Sequence, residues 1–264
     1  MNMNNNNKKT ERLKIIIAYL KDCNGASLKD IADYLQVSEM TARRDLYELR
    51  EHNVIHYISG VAIFNPDSQR NNEQNPYDLV GEKLVNNEKK ERIGKKAATL
   101  LTAGDTVIID TGTTTEHFAK HIPDQVPLTV LCYNINIMSE LIRRSHLNLL
   151  FAGGIYHENT QMFESPEGLS LINRTRATKV FLSAAGVSEL LGITCRNHYE
   201  IDTKRAIINA ALKRILLVDS SKFNKIRPAL FAQIADIDTV VTDDGISSEW
   251  IEILKKNDIE LLIA

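Results

Sequence analysis

Asp110-Thr111-Gly112-Thr113-Thr114-Thr115 puts a carboxylate, four hydroxyls and a glycine between a β-branched run and the start of a helix. Gly112 permits a tight backbone, and helix N-terminal amides joined by hydroxyls suit a phosphate. No lysine stands at the Walker position, so this is not a nucleoside-triphosphate loop. A simple capped strand-to-helix turn accounts for the same residues. Glu200 and Lys204 lie four apart on a predicted helix and face the same way. They read either as a surface ion pair worth about 0.3–0.5 kcal/mol, or as a carboxylate for sugar hydroxyls beside an ammonium for phosphate. Three more loops join them. Tyr133-Asn134 carries an amide that suits a hydroxyl, Gly153-Gly154 leaves room for a ligand or makes a turn, and in Asp219-Ser220-Ser221-Lys222-Phe223 the Lys222 ammonium meets an anion or solvent. Histidines 117, 121, 146, 157 and 198 lack metal-ligand spacing. No G-x-S-x-G elbow is present, and the Ser, Cys and His spacing carries no catalytic signal. The expectation is a binding site with no catalytic residue, no metal and no cofactor.

A second chemistry lies in Ser38-Glu39-Met40-Thr41-Ala42-Arg43-Arg44-Asp45-Leu46-Tyr47-Glu48-Leu49. Ser38 is a good N-cap, and no Gly or Pro interrupts the helix that follows. At 100° per residue Ala42, Leu46 and Leu49 fall on one side, and Met40, Arg44 and Tyr47 on the other, flanked by Thr41 and Arg43. Two arginines and a hydroxyl opposite an apolar stripe suit a DNA major groove, whereas an ordinary surface helix with solvated charges has the same pattern. Ser38, Met40, Thr41, Arg43, Arg44 and Tyr47 are the candidate DNA contacts. Asp45, nearer the buried side, is expected to orient an arginine or another helix.

The surrounding elements decide between these readings. Lys8 to Asp22 has apolar residues at Leu13, Ile16, Ile17 and Leu20, a helix that Asn24-Gly25 ends. Ser27-Leu28-Lys29-Asp30 looks like a capping box, and Leu28, Ile31, Ala32 and Leu35 give a second helix its apolar face. Gln36-Val37 makes a tight turn into Ser38, so residues 27–46 form a helix-turn-helix. Val54–Ile58 and Val61–Phe64 flank a Ser59-Gly60 turn and read as a hairpin, completing a winged helix over residues 1–64. Asn65 to Asn75 has no apolar periodicity, and residues 65–85 read as a linker. From residue 86 to 264 short apolar strands alternate with helices: Thr106–Asp110, Leu128–Cys132, Leu147–Phe151, Lys179–Ser183, Ile215–Asp219, Thr239–Thr242 and Ile259–Ile263 are predicted strands. This indicates a mainly parallel α/β sheet covered on both faces. Such sheets bind ligands beyond the C-terminal ends of their strands, where the candidate loops fall.

Composition is ordinary for a globular protein of 264 residues, with 43% hydrophobic and 25% charged. No apolar run approaches 18 residues, so no membrane span is expected. Met1 to Lys9, rich in Asn and without an apolar core, reads as a frayed tail rather than a signal peptide. Three distant cysteines fit neither a disulfide framework nor zinc, which points to a reducing cytoplasm. Net charge is −2, and residues 1–64 hold nine Lys or Arg against eight Asp or Glu. DNA binding must therefore come from local placement of charge.

Ser38-x-x-Thr41-Ala42-Arg43-Arg44-Asp45-Leu46 resembles the helix-turn-helix signature of the DeoR family of bacterial sugar-responsive transcription repressors. Similar to that family are also Asp110-x-Gly112-Thr-Thr-Thr115, Asn134, Gly153-Gly154, Ala185-Gly186, Gly192-x-Thr194-x-x-Asn197-x-x-Glu200-x-x-x-Lys204 and Ser221-Lys222-Phe223. The resemblance runs from about residue 10 to the end. It departs in the wing, where the family's Gly-x-x-x-Arg-x-His-Gly-Gly positions read Asn53, Tyr57, Ser59, Gly60 and Val61. It implies an α/β fold class: an N-terminal winged helix-turn-helix plus a C-terminal sensor domain similar to ribose-5-phosphate isomerases and CoA transferases, binding phosphorylated sugars without turnover. The effector set it implies is Asp110, Gly112, Thr113, Thr114, Thr115, Asn134, Gly153, Gly154, Glu200, Lys204 and Lys222. Cys132-Tyr133, Ser183–Val187, Asp219–Phe223 and Arg227-Pro228-Ala229 are similar to a member governing deoxyribonucleoside catabolism, which implies deoxyribose-5-phosphate as effector. The function implied is a repressor of a sugar or nucleoside catabolic operon, with operator double-stranded DNA and a phosphorylated sugar as partners. The alternative is an isomerase-like enzyme with a fused DNA-binding head. One small winged helix buries too little surface for operator affinity, so a homo-oligomer, dimer or higher, is expected.

Overall fold

In the computed structural model residues 3–23, 25–51, 54–58, 60–64 and 85–264 are described, and the chain divides into two compact units, Met1–Pro76 and Tyr77–Ala264. The expected linker, save Val85, and Asn53 and Ser59 of the wing lie outside the described residues.

The described residues of the first unit form three helices and a small sheet: α1 (Met3–Cys23), β1 (Ala26–Ser27), α2 (Leu28–Leu35), α3 (Glu39–Glu51), β2 (Ile55–Ile58) and β3 (Val61–Phe64). The Asn-rich start is not a frayed tail. With no Gly or Pro to stop it, α1 begins at Met3. The predicted capping box closes α2, with Asp30 N donating to Ser27 Oγ (3.2 Å) and Ser27 N to Asp30 Oδ2 (3.1 Å). Gln36 then takes a left-handed conformation (φ 53°) and turns the chain into α3. The apolar stripes predicted from spacing meet: Leu13, Ile16 and Leu20 of α1, Leu28 and Ile31 of α2, and Ala42, Leu46 and Leu49 of α3 form one core with Ile55 and Ala62 of the wing. The wing hairpin pairs Ile55 with Phe64 and Ile58 with Val61, and β1 adds to its other edge.

The second unit is built on a seven-stranded sheet in the order β15-β14-β12-β9-β4-β5-β6, parallel throughout. Its strands are β4 (Thr106–Ile109), β5 (Leu128–Cys132), β6 (Leu147–Phe151), β9 (Ala177–Ser183), β12 (Ala211–Leu217), β14 (Thr239–Thr242) and β15 (Glu260–Ile263). Among the described residues six helices accompany them: α4 (Asn87–Ala98), α5 (Thr113–Lys120), α6 (Ile135–Leu141), α7 (Pro166–Arg174), α8 (Ile201–Asn209) and α9 (Ser248–Lys256). Alternate strand residues enter opposite cores, as a two-residue repeat requires. Ile108, Leu131, Val180, Leu182, Leu216 and Val240 join one, and Val107, Ile109, Val130, Phe181, Ile215, Leu217 and Val241 join the other. Burial on both faces is why these strands read as continuous apolar runs.

Two antiparallel additions were not expected. One is the hairpin β7 (Ile155–His157) and β8 (Met162–Glu164). The other is a small sheet of β10 (Gly186–Ser188), β11 (Gly192–Cys195) and β13 (Ala229–Ala232). Strands of three or four residues are too short to show alternation. The predicted strand at Ile215 starts earlier, at Ala211, because Leu212 is exposed and Lys213 and Arg214 break the apolar run. Among the described residues no helix is long and apolar enough to cross a membrane.

Candidate functional site

Helix α3 is sharply two-sided. Ala42, Asp45, Leu46 and Leu49 are buried, while Met40 (67% exposed), Arg43, Arg44 and Tyr47 (57%) face outward, with Ser38 exposed and Thr41 half-buried at the start. Ser38 caps the helix by accepting from Thr41 N (3.2 Å). The arginine that Asp45 orients is Arg12 of α1, which donates from Nε (2.6 Å) and Nη2 (3.1 Å) to the two carboxylate oxygens. Donation to Asp45 holds the Arg12 guanidinium above its ordinary pKa. The fork fixes α3 against α1 from the side opposite its exposed arginines, and Arg50 lies over the Tyr47 ring at 5.0 Å.

In the second unit the chain segments beyond β4, β9, β11 and β12 converge on an open cavity. Thr111, Gly112, Thr113 and Thr114 line it with Ser183-Ala184-Ala185, Cys195, Arg196, Glu200, Lys204 and Lys222. Close approach explains Gly112, since a Cβ there would lie 2.4 Å from Ser183 Oγ. The first turn of α5 thus presents its amides and two threonines to a cavity that also holds Arg196, Lys204 and Lys222.

The Glu200–Lys204 pair is no surface ion pair: both side chains are buried, and the 3.9 Å between Lys204 Nζ and Glu200 Oε2 exceeds a hydrogen bond. The lysine's close partner is Asp110 Oδ2, at 2.6 Å. Asp110 is fully buried beneath the cavity and takes three more donors, Thr111 N (2.8 Å), Ser183 N (2.8 Å) and the Tyr133 hydroxyl. Four donors saturate a carboxylate. Glu200 Oε1 accepts from Asn197 N (3.1 Å) and Nδ2 (2.9 Å). Burial raises the Glu200 carboxyl above its ordinary range, against the pull of Lys204 and Asn197. Burial works to lower the Lys204 ammonium, but Asp110 and Glu200 outweigh it and keep the lysine charged. Burial also pushes the Cys195 thiol up to about 12, and it donates to Ala229 O at 3.5 Å. A thiol so held is no nucleophile at neutral pH. Among the described residues no group of three or more His, Cys, Asp or Glu is arranged to hold a metal.

Of the residues singled out from the sequence, Gly112, Thr113, Thr114, Glu200, Lys204 and Lys222 line the cavity, and Asp110 braces its floor. Thr115 turns inward, its hydroxyl donating to Gly112 O (3.0 Å). Gly153 and Gly154 lie outside the lining: Gly153 O accepts from Ser165 Oγ (2.8 Å), and a Cβ on Gly154 (φ 148°) would strike Glu164 O. The close approach constrains Gly154 but not Gly153, whose Cβ would meet nothing nearer than the Phe151 ring at 3.9 Å. Asn134 is completely buried outside the lining, and neither Oδ1 nor Nδ2 has a hydrogen-bond partner. Spacing gave no warning of Ser183, Cys195 or Arg196, although Ser183-Ala-Ala-Gly and the Gly192–Lys204 run hold them.

Comparison with known proteins follows the same division. Residues 12–68 match the DeoR-like helix-turn-helix domain, and residues 85–244 the DeoR C-terminal sensor domain. The deoxyribose operon repressor of Escherichia coli (strain K12) is 32% identical over 97% of this chain and 98% of its own. The HTH-type transcriptional repressor GlcR of Bacillus subtilis (strain 168) is 31% identical over 96% of this chain and 95% of its own. Ribose 5-phosphate isomerase A of Methanocaldococcus jannaschii superposes with a TM-score of 0.39 at 15% identity, covering 53% of this chain and 55% of that one.

Proposed function

We propose that this chain, which belongs to the DeoR family, represses a sugar or nucleoside catabolic operon by binding operator DNA through α3 and releasing it when a phosphorylated sugar occupies the cavity of the sensor domain. Met40, Thr41, Arg43, Arg44 and Tyr47 contact the operator, with Ser38 fixing the first turn of α3. Arginines read guanine bidentately or grip phosphate, and their exposure beside a braced helix supports either use.

The observation that carries the effector reading is the gathering of α5 amides, Thr113, Thr114, Arg196, Lys204 and Lys222 around one cavity, with Glu200 on its floor. Phosphate suits the amide and ammonium end, and sugar hydroxyls suit the carboxylate. Asp110 acts by holding Lys204, Thr115 by shaping the loop, and Gly154 by admitting the close approach of the Glu164 backbone. Deoxyribose-5-phosphate is the effector we put first, supported by the name of the deoxyribose operon repressor and 32% identity to it. The named relatives are repressors and regulators, which favours this reading over an isomerase-like enzyme. A winged helix alone buries too little for operator affinity, so the repressor works as a homo-oligomer, in the cytoplasm where its operator lies.

Release of the full-length protein from operator DNA by a panel of phosphorylated pentoses and hexoses tests this. Deoxyribose-5-phosphate is expected to act at lower concentration than ribose-5-phosphate. Retention on DNA against the whole panel would refute the effector reading.

A further inference from the structure

Asn134 carries more than a turn needs. A buried amide is nearly always satisfied, yet both of its polar atoms lack partners. β4 and β5 are neighbours with Ile109 in register with Cys132, so two residues further on the chain reaches Thr111 beside the cavity and Asn134 beyond the adjacent strand. What closes over Asn134 is the end of the β7–β8 hairpin. Asn134 forms an isolated bridge with Met162, Ile135 N donates to Gln161 O (2.9 Å), and Phe163 N donates to Tyr133 O (2.7 Å).

That hairpin end is latched to the cavity wall. The Thr111 hydroxyl, on the lining, donates to Thr160 O at 2.9 Å. Tyr199, next to Glu200, donates to Asn159 Oδ1 at 2.7 Å and lies 3.2 Å from Thr160 Oγ1. Gln161 holds a left-handed backbone (φ 55°) that a side chain seldom adopts. A covered amide with both donor and acceptor unused therefore sits behind a small set of hydrogen bonds anchored in the open site.

We propose that the Asn159–Gln161 tip is a cover over a second compartment of the effector site, in which Asn134 receives a hydroxyl of the bound sugar once Thr160 releases Thr111. A hydroxyl both donates and accepts, which matches an amide lacking both. This rests on the sugar-phosphate reading of the open cavity and extends it inward. Because the latches hold the compartment shut, the apparent affinity of the free protein is reduced by the fraction of time it stays closed.

The test uses the full-length protein, calorimetry with deoxyribose-5-phosphate and with inorganic phosphate, and thermal melting. Asn134→Leu is expected to melt no lower than wild type and to bind deoxyribose-5-phosphate at least tenfold more weakly, with inorganic phosphate affinity within twofold. Tyr199→Phe, which removes two latches without touching the cavity lining, is expected to bind the sugar phosphate several-fold more tightly. Wild-type sugar-phosphate affinity in Asn134→Leu, a lowered melting temperature showing that the amide was already satisfied, or unchanged affinity in Tyr199→Phe would each overturn the cover. A wild-type protein that binds no sugar phosphate refutes the effector reading itself, and the compartment with it.

Discussion

Lys204 Nζ lies 2.6 Å from Asp110 Oδ2, across 94 residues of sequence, with both side chains shielded from solvent. The contact joins the first turns of α8 to the end of β4 and sets an ammonium at the floor of the cavity. Removing one partner strands the other.

Lys204→Met is therefore expected to destabilise the protein by about 3–5 kcal/mol, the usual result of leaving a buried charge unpaired. Asp110→Asn combined with Lys204→Met should recover part of that loss, because the Asp110 charge is no longer left unpaired, although the new amide nitrogen faces a backbone N–H that the carboxylate accepted. Denaturant unfolding of the two single variants and the double variant measures the coupling, and additive losses would contradict it.

Arg44→Ala and Arg43→Ala should each weaken operator binding by about 1–3 kcal/mol. Both side chains are exposed, so melting temperature is expected to stay within a degree or two of wild type. Anisotropy titrations over a range of salt separate their roles: an arginine on phosphate lowers the salt slope when removed, and one reading a base relaxes sequence preference.

Arg12→Ala leaves the Asp45 carboxylate buried behind α3. A loss on the order of 2 kcal/mol in the first unit is expected, between exposed and buried ion-pair values. Arg12→Lys should restore only part of it, since an ammonium cannot reproduce the two-pronged contact. Operator affinity should fall with stability, although Arg12 lies behind the exposed face of α3.

Glu200 gives a pH dependence of definite sign. Its carboxyl is raised above the ordinary 4.5, chiefly by burial. The folded state then holds this proton where the unfolded chain has lost it, so the contribution is full below 4.5 and is lost as pH rises toward the folded value. Glu200→Gln removes that loss. The melting temperature of Glu200→Gln relative to wild type is expected to climb between pH 4 and pH 8, and a constant difference would rule it out.

The parts legible in the sequence are those set by neighbours a few residues apart. Ala42, Leu46 and Leu49 announced the buried stripe of α3, Ser27 and Asp30 announced a cap, and apolar runs such as Val107–Ile109 announced strands covered on both faces. Contacts between distant segments were hidden. Four-residue spacing pairs Lys204 with Glu200, but packing gives its short contact to Asp110. Ser183 and Arg196 reach the cavity because β9 and β11 end there, which no local pattern encodes. Gly154 reads as part of a ligand loop in sequence, but close approach to the Glu164 backbone accounts for a glycine there.

The two faces of α3 share no residue: Ala42, Asp45, Leu46 and Leu49 pack or pair inward, while Met40, Arg43, Arg44 and Tyr47 point out. The address is written separately from the envelope. Outward positions are thus open to wholesale replacement, as in a library selected against a new operator, while the scaffold carries over. The Arg12–Asp45 fork is the part such a redesign must leave alone.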